Sequence, residues 1–344
     1  MRFGLGQFTL QIPPWDGRDH AQLYADTLDL AARAEDAGFD SFWLAEHHGA
    51  SDGYIPSTLL FLAAVAARTR RIEIGTAVLL APFHDPLRIA EDAAVVDNIS
   101  GGRLNLGLGL GWAEEEYRMF RADHKGRGKR LGELAQVLKA AWTKDRFAFN
   151  GELLRYEDIS ITPKPARAGG PPVWLGGNAE AALRRSARFG DGYFPPSSAT
   201  FSALPDLAEQ LLALRKELNP EQPYGFGSFQ NVGLGSDEED AWRSIRDGVL
   251  HVRGAYMLWG QGARDVSGAR EAAAPFEEQI RETCIVGTPK QVVEKMRPAI
   301  EKIDALGFAE TFTSVILAPP GTPRDRAREA VDRFAAEVIP ALRS

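Results

Sequence analysis

Short apolar segments alternate with longer amphipathic ones along this sequence, and this alternation constrains the fold more than any other feature. It predicts strands, with helices between them, over residues 2–7, 39–45, 72–79 and 103–109. Each connecting segment is long enough for the crossover that joins parallel strands. Four later candidates complete a set of eight strands: 173–175, 192–194, 224–232 and 311–317. The chain is therefore predicted to be an α/β protein, a (β/α)8 TIM barrel with insertions such as a hairpin over 147–165.

The composition is that of a globular protein with a sizeable core. Of 344 residues, 44% are hydrophobic, and no repeat or linker divides the chain, so we expect one domain over residues 1–344. The net charge of −7, without a long basic run, argues against nucleic acid and anionic membranes as partners. The longest apolar run, residues 59–67, is too short to span a bilayer. The first residues do not resemble a secretory signal, so the expected location is the cytoplasm.

Reactive side chains are scarce in this sequence. Cys284 is the single cysteine, which excludes an intrachain disulfide and disfavours a thiolate metal site. It lies in an apolar segment, where an inert buried thiol is expected. No Ser–His–Asp or Cys–His order presents itself in the sequence. The demanding chemistry would therefore belong to a cofactor.

The second predicted strand ends in Glu46, His47 and His48, and in a barrel the C-terminal ends of the strands carry the chemistry. Two histidines beside a carboxylate can supply a general base or an oriented imidazole. Neighbouring residues on a strand point to opposite faces, so the two histidines are not expected to bind one metal, and we predict no metal. A polar rim of hydrogen-bonded imidazoles is the alternative.

The fourth strand alternates strictly between leucine and small residues. Leucines occupy every second position from 104 to 110 and are expected to face the helices, which leaves Asn105, Gly107 and Gly109 inside the barrel. Glycines on the inner face leave space where side chains normally fill a barrel. We interpret this as room for a flat ligand. Tight packing around a bulky neighbour such as Trp112 is the alternative.

A strand, a glycine turn and a helix start follow one another at residues 173–179. Free N–H groups at Gly176, Gly177 and Asn178, with the positive end of the helix dipole, form a candidate anion site. The position after a late barrel strand, where phosphates commonly bind, strengthens this interpretation. Taken alone the turn is weak evidence, because Asn178 is also an ordinary helix N-cap.

Residues 260–275 are small and polar without apolar periodicity, which predicts a mobile loop. Tyr256 and Trp259, just before it, would give this loop an apolar surface with which to cover the barrel mouth. An inert surface loop is the alternative.

Several motifs in order along nearly the whole chain carry a family resemblance. They are Glu46-His47-His48, Gly75-Thr76-Ala77-Val78, Pro86-Leu87-Arg88, Ser100-Gly101-Gly102-Arg103, Gly176-Gly177, Asp191-Gly192 and Val286-Gly287-Thr288-Pro289. With these motifs the chain resembles the bacterial luciferase-like family of flavin-dependent oxidoreductases. The resemblance implies a (β/α)8 barrel that binds reduced FMN or, in one branch, the deazaflavin F420.

The resemblance also implies roles for particular residues. Glu46-His47-His48 is similar to the FMN-using branch, and His47 matches the catalytic histidine of luciferase, with His48 beside it. Luciferase offers an arginine to the phosphate where this chain has Leu110, so the phosphate would rest on backbone N–H groups. Glu116 aligns with an acidic residue near the flavin, but a solvated charge in the acidic run 114–116 is the favoured interpretation. A cis peptide is implied between Ala77 and Val78.

We predict a monooxygenase that takes reduced FMN from a separate NAD(P)H:flavin reductase and oxygenates a small organic substrate with O2. We expect it to be a homodimer. The alternatives are an F420-dependent oxidoreductase, a flavin-binding subunit without catalysis and, least favoured, a metal-dependent hydrolase. The catalytic residues are predicted to be His47 and His48. The predicted cofactor-binding residues are Glu46, Ala77, Val78, Asn105, Gly107, Gly109, Gly176, Gly177 and Asn178.

Overall fold

The chain folds as a parallel barrel surrounded by helices, in a computed structural model that describes residues 1–344 except Ser197. The strands are β1 (Arg2–Phe8), β2 (Ser41–Leu44), β3 (Glu73–Thr76), β4 (Leu79–Leu80), β5 (Leu104–Gly109), β6 (Phe147–Asn150), β7 (Arg155–Ile159), β8 (Val173–Gly176), β9 (Gly192–Phe194), β10 (Gly225–Leu234), β11 (Ile285–Gly287) and β12 (Glu310–Ile316).

The helices include the barrel's outer ring and several short additions. They are α1 (His20–Ala37), α2 (Thr58–Arg68), α3 (Pro86–Ser100), α4 (Glu114–Phe120), α5 (Arg127–Thr143), α6 (Glu180–Phe189), α7 (Leu204–Leu218), α8 (Glu238–Gly260), α9 (Ala269–Ala273), α10 (Glu277–Glu282), α11 (Pro289–Ala305), α12 (Arg324–Arg333) and α13 (Ile339–Arg343). None of the helices in the described part of the chain combines the length and the apolar character needed to cross a membrane.

The barrel order is β1-β2-β3-β5-β8-β9-β10-β12, and the pairing of β12 with β1 closes it. All of these pairings are parallel, so the eight-stranded barrel predicted from the alternation is confirmed. The antiparallel pair β6–β7 is the predicted inserted hairpin. The C-terminal ends of the barrel strands meet at one mouth, where they can carry a common site.

Three elements differ from the sequence-based prediction. The single strand predicted over 72–79 is two strands, β3 and β4, separated by a cis peptide between Ala77 and Val78. The short strand β11 pairs with β10 outside the closed barrel, and three residues are too few for a clear periodic signal. The sequence pattern predicts a helix over residues 237–252, but α8 continues to Gly260 because its apolar positions continue through Trp259.

Large aromatic side chains fill the barrel interior. Glycines on neighbouring strands make room for them, since a Cβ at Gly75, Gly192 or Gly227 would clash with one of the rings. Some of the 34 glycines in the chain therefore serve close packing inside the barrel. The buried rings are those of Trp43, Trp174, Phe194, Phe229 and Phe312.

Local signals set the helix that follows β4. The Asp85 carboxylate accepts the N–H groups of Leu87 and Arg88, with Pro86 in the first turn, and α3 ends where Gly101 adopts φ +69°. In the sequence, Asp85-Pro86 predicts the start of this helix and Ser100-Gly101-Gly102 predicts its end after Ile99, and the structure confirms both ends.

Candidate active site

A cavity of about 570 Å³ opens at the C-terminal mouth of the barrel. This volume lies within the roughly 300–1,000 Å³ that is typical of small-molecule sites. Of the eleven residues predicted for the site, eight line this cavity, and His48, Asn105 and Gly107 lie outside its lining. The eight are Glu46, His47, Ala77, Val78, Gly109, Gly176, Gly177 and Asn178.

A chain of four hydrogen-bonded side chains forms one wall of the cavity. His47 Nδ1 lies 2.9 Å from Glu116 Oε1, and His47 Nε2 lies 3.1 Å from the hydroxyl of Tyr256. The Tyr256 hydroxyl in turn lies 3.3 Å from that of Tyr54. The backbone N–H of His48 donates to the same Glu116 oxygen at 2.7 Å. The order of the chain is therefore Glu116, His47, Tyr256, Tyr54.

The expectation of a solvated Glu116 is wrong. Its side chain is 0% exposed on the short helix α4, whereas Glu114 in the same acidic run remains exposed. Helical periodicity separates the two, since residues two positions apart lie on different faces. A carboxylate that accepts the Nδ1–H of His47 leaves Nε2 as the acceptor on that ring. Glu116 Oε2 has no hydrogen-bond partner among the described residues, so a bound ligand or water can satisfy it.

The two phenols of this wall are protonated at neutral pH. Burial raises the pKa of Tyr54 well above 10, and burial likewise raises the pKa of Tyr256. Both hydroxyls can therefore donate hydrogen bonds, and Tyr256 is placed to donate to His47 Nε2. The wall can hold a proton at His47 and exchange it with a ligand in the cavity.

His48 lies outside the cavity lining, unlike His47, and both residues follow the end of β2 at Leu44. The Nε2 of His48 lies 3.2 Å from Glu46 Oε1, and the Nε2 of His84 lies 2.8 Å from the same oxygen. The three ligand atoms lie within 4.8 Å of one another, which resembles the donor set of a divalent metal. They also satisfy one another by hydrogen bonds, so the cluster needs no ion. The expected absence of a metal stays a prediction, which metal analysis of the purified protein tests.

Glu46 also anchors β4, the strand that follows the cis peptide. Its Oε1 accepts the N–H of Leu80, and its Oε2 accepts the hydroxyl of Thr58 at 3.1 Å. Burial opposes its charge, but the hydrogen bonds from His48 and His84 lower its pKa to about 2. Burial also opposes the charged form of His84, yet the bond to Glu46 raises the pKa of His84 above 6.5. Glu46 therefore acts chiefly as an ionised anchor for the cavity floor.

This anchor predicts a pH-dependent stability. The contribution of His84 is complete below pH 6.5 and is lost as the pH rises through its raised pKa. The contribution of Glu46 is complete above pH 4.5 and is lost as the pH falls through about 2. We expect His84→Gln to destabilise the protein most near pH 5.5, by about 1.5–3 kcal/mol, and less at pH 9. Thermal unfolding at both pH values measures this difference, with His20→Gln, an exposed position, as the control. A constant difference between the two pH values would contradict it.

The glycine strand β5 contributes one residue to the cavity. Gly109 lines it, and a Cβ there would clash with Val78 across the floor. Gly107 lies deeper, where a Cβ would clash with the Thr76 carbonyl and approach the Phe194 ring. Asn105 lies deeper still and donates to Glu73 at 2.8 Å. Of the two glycines, only Gly109 therefore borders the cavity, and close packing occupies the space beside Gly107.

The glycine turn after β8 forms the other end of the cavity. Gly177 adopts φ +138°, and a Cβ there would lie 2.7 Å from the Cβ of Ala182, so glycine is required. Asn178 is not the N-cap that the sequence predicts, because α6 begins at Glu180 with Ala179 in the cap position. The alanine side chain cannot accept a hydrogen bond, which leaves the first N–H groups of α6 available to an anion.

Two arginines that the sequence analysis did not single out line the same end. Arg127 begins α5 and Arg185 lies in the second turn of α6, and both border the cavity with Gly177. Arg185 Nε is buried without a hydrogen-bond partner among the described residues. Burial and then the charge of Arg127 lower the pKa of Arg185. Binding of a phosphate by backbone N–H groups stays a prediction, and these two cations lie at the same end of the cavity. They come from positions 58 residues apart in the chain, so no local pattern reveals their meeting.

The segment 260–275 is more ordered than the predicted loop. It contains α9, and Val266, Ala269 and Ala273 are fully buried against neighbouring elements. Arg264 donates to the carbonyl of His48 at 3.0 Å, which places the segment beside the site. Its buried alanines explain the missing signal, because alanine contributes little to hydrophobic periodicity.

The side chains of Glu116, His47, Tyr256 and Tyr54 together are called the histidine wall below. A second cavity, of about 110 Å³, lies beside this wall and shares four lining residues with the first: Gln7, Tyr54, Arg253 and Tyr256. Its volume is below the usual range for a cofactor or drug-sized ligand. The larger cavity is therefore the candidate active site.

Comparison with known proteins identifies the family. The sequence matches the luciferase-like monooxygenases over residues 5–304. It is 25% identical to the oxygenase component of a flavin-dependent trigonelline monooxygenase from Acinetobacter baylyi, with 99% of this chain and 96% of that protein covered. It is 34% identical to an F420-dependent glucose-6-phosphate dehydrogenase from Nocardia farcinica, with 93% of this chain and 94% of that protein covered.

A solved structure extends the likeness to the fold. A monooxygenase from Streptomyces bottropensis is similar with a TM-score of 0.77 and 25% identity, and 99% of each chain is covered. The family match covers the cavity residues described above and reaches from β1 through β11, with β12 beyond its end. The chain therefore belongs to the luciferase-like monooxygenase family.

Proposed function

We propose that this protein is a monooxygenase that binds reduced FMN and uses O2 to oxygenate a small organic substrate. One observation carries the proposal. A single cavity joins an acid–base wall, built on His47 and Glu116, to an anion-binding end with Gly177, Arg127 and Arg185. An organic cofactor with a terminal phosphate has the two kinds of group that these ends would recognise.

The residues present fit such a cofactor. The unpartnered Nε of Arg185 and the open start of α6 would hold the phosphate, together with Arg127. The flat floor at Val78 and Gly109 would support the ring system. Reduced FMN, when bound, supplies the electrons with which O2 is activated.

The protein's own contribution is to position a proton and exclude water. Glu116 accepts the Nδ1–H of His47 and so orients its Nε2, to which Tyr256 donates. His47 would take up or deliver a proton at Nε2 beside the reacting atoms. Tyr54 and Trp112 border the same space and keep bulk water from it. This oriented acid–base pair also argues against a subunit that only stores flavin.

A separate flavin reductase is the partner that this proposal requires. The relative from Acinetobacter baylyi is named an oxygenase component, which supports a two-component arrangement here. We propose that an NAD(P)H-dependent reductase releases reduced FMN, which this chain then captures.

F420-dependent hydride transfer is the second candidate. The 34% identity to an F420-dependent dehydrogenase favours it. The triplet Glu46-His47-His48 favours FMN through its resemblance to the FMN-using branch, and for this reason we place FMN first.

Anaerobic titration with reduced FMN and with reduced F420, followed by addition of O2, separates the candidates. We expect saturable binding of reduced FMN and O2 consumption that is coupled to product over a substrate panel. Turnover with reduced F420 in the absence of O2 would show that the cofactor is F420 and not FMN. Binding of FMN without any coupled product would favour the flavin-storing alternative.

We also propose a homodimer built on α2 and α3. These adjacent helices expose Leu60, Val95 and Ile99, with 76%, 45% and 48% of each side chain accessible. A second copy would cover this apolar face. We expect Leu60→Glu combined with Ile99→Glu to give a monomer by sedimentation, whereas Leu153→Glu, an exposed position outside α2 and α3, leaves the dimer intact. A monomeric wild-type protein at micromolar concentration would contradict this proposal.

A further inference from the structure

The histidine wall is built almost entirely from aromatic rings. His47 lies with its ring centroid 4.9 Å from Tyr54, 5.2 Å from Tyr256 and 5.0 Å from Trp259. Trp112 stacks on Tyr256 at 5.6 Å, with an angle of 25° between the ring planes. Four of these five residues line the cavity, so a molecule held beside His47 must contact aromatic surface.

The polar atoms of this wall are largely engaged with one another. The hydroxyls of Tyr54 and Tyr256 and both ring nitrogens of His47 belong to the hydrogen-bonded chain that ends at Glu116. A ligand rich in hydroxyl groups would have to break these bonds or leave its own groups unpaired, and both cost free energy. The surface that remains for recognition consists mainly of ring faces and edges.

Trp112 supplies the most accessible of these faces. Tyr256 stacks on one face of its indole, and Trp112 lines the cavity while remaining 38% exposed. An aromatic ring placed on an exposed indole gains stacking energy beyond the burial of its area, and a saturated ring of the same size does not.

We infer that the substrate is a planar aromatic compound that stacks on Trp112 and Tyr256 beside His47. This inference rests on the proposed function for the cofactor, but it concerns the substrate class alone. It separates this chain from a relative that acts on a sugar phosphate, because a sugar offers hydroxyl groups where the wall offers rings.

Binding of matched aromatic and saturated acids to the FMN-loaded protein tests the inference. The pairs are benzoate with cyclohexanecarboxylate and 2-naphthoate with decahydro-2-naphthoate. Both members of each pair carry one carboxylate, which keeps the charge of the ligand the same within the pair. We expect the aromatic member to bind about three- to tenfold more tightly in the wild-type protein.

Variants assign that preference to Trp112. Trp112→Leu should bring the ratio of the two affinities within each pair close to one. Trp112→Phe should retain part of the preference for the aromatic acid. Trp15→Leu is the matched control, since Trp15 is equally exposed at 38% but lies outside the cavity lining. Circular dichroism and FMN titration establish that each variant is folded and holds the cofactor.

The outcomes separate this inference from the proposed function. If FMN does not bind, the cofactor proposal fails before any acid is tested. If FMN binds but both members of each pair bind equally, or neither binds up to its solubility, the aromatic assignment is overturned while the cofactor proposal stands. Tighter binding of glucose 6-phosphate than of either aromatic acid would also overturn it.

Discussion

Replacing His47 by alanine is expected to slow product formation by about 10²–10⁴-fold, the usual contribution of a general acid–base residue. The loss follows from its position, since His47 borders the cavity and is oriented by Glu116 at 2.9 Å. Affinity for reduced FMN should change little, because the anion-binding end lies on other elements. Single-turnover assays with reduced FMN, O2 and substrate measure product, and hydrogen peroxide should accumulate in its place.

Two further variants define this result. His20→Ala removes an exposed imidazole on α1 and should retain wild-type coupling. Glu116→Gln keeps the shape of the carboxylate but removes its charge, and it should lower the product rate at least tenfold and alter its pH profile. If O2 consumption in His47→Ala remained coupled to product as in the wild-type protein, a catalytic role for His47 would be contradicted.

Replacing Arg185 by methionine is expected to weaken FMN binding about ten- to hundredfold, because one hydrogen bond to a charged group contributes roughly 1.5–3 kcal/mol. Methionine keeps much of the apolar stem and removes the guanidinium, whose Nε is unpartnered among the described residues. Affinity for riboflavin, which has no phosphate, should change far less. Fluorescence titration with both flavins measures the effect.

The control for this variant is the neighbouring residue. Arg184 also lies on α6 but pairs with Glu217 at 2.8 Å on the outer surface, so Arg184→Met should leave FMN binding unchanged. Gly177→Pro should also weaken FMN binding, since it removes an N–H and distorts the turn. Equal losses of affinity for FMN and for riboflavin would contradict the assignment of the phosphate to this end of the cavity.

Much of the fold follows from local patterns in the sequence. The alternation of strands and helices predicts the parallel barrel, and the Asp85, Pro86 and Gly101 signals predict both ends of α3. These predictions succeed because period, caps and turns depend on residues a few positions apart. The last turns of α8 and the short strand β11 were missed: the apolar positions of α8 continue through Trp259, and β11 is only three residues long.

The site was predicted in its parts but not in its assembly. His47 lines the cavity and His48 does not, but both follow the end of β2 at Leu44, so strand alternation is not what separates them. The local pattern does not reveal that Glu116, 69 positions away, turns inward to meet His47. The acidic run around Glu116 is typical of a solvated surface, and only the short helix α4 sets one of its carboxylates apart.

The sequence by itself determined the barrel, the mouth at which chemistry can occur and the glycine turn after β8. The tertiary structure alone decided which side chains meet across that mouth: Glu116 with His47, Arg185 with Arg127 and Trp112 with Tyr256. The physical reason is the closure of the barrel. It brings residues from separate crossovers within a few ångströms of one another, and the distances between them depend on packing that no local period records.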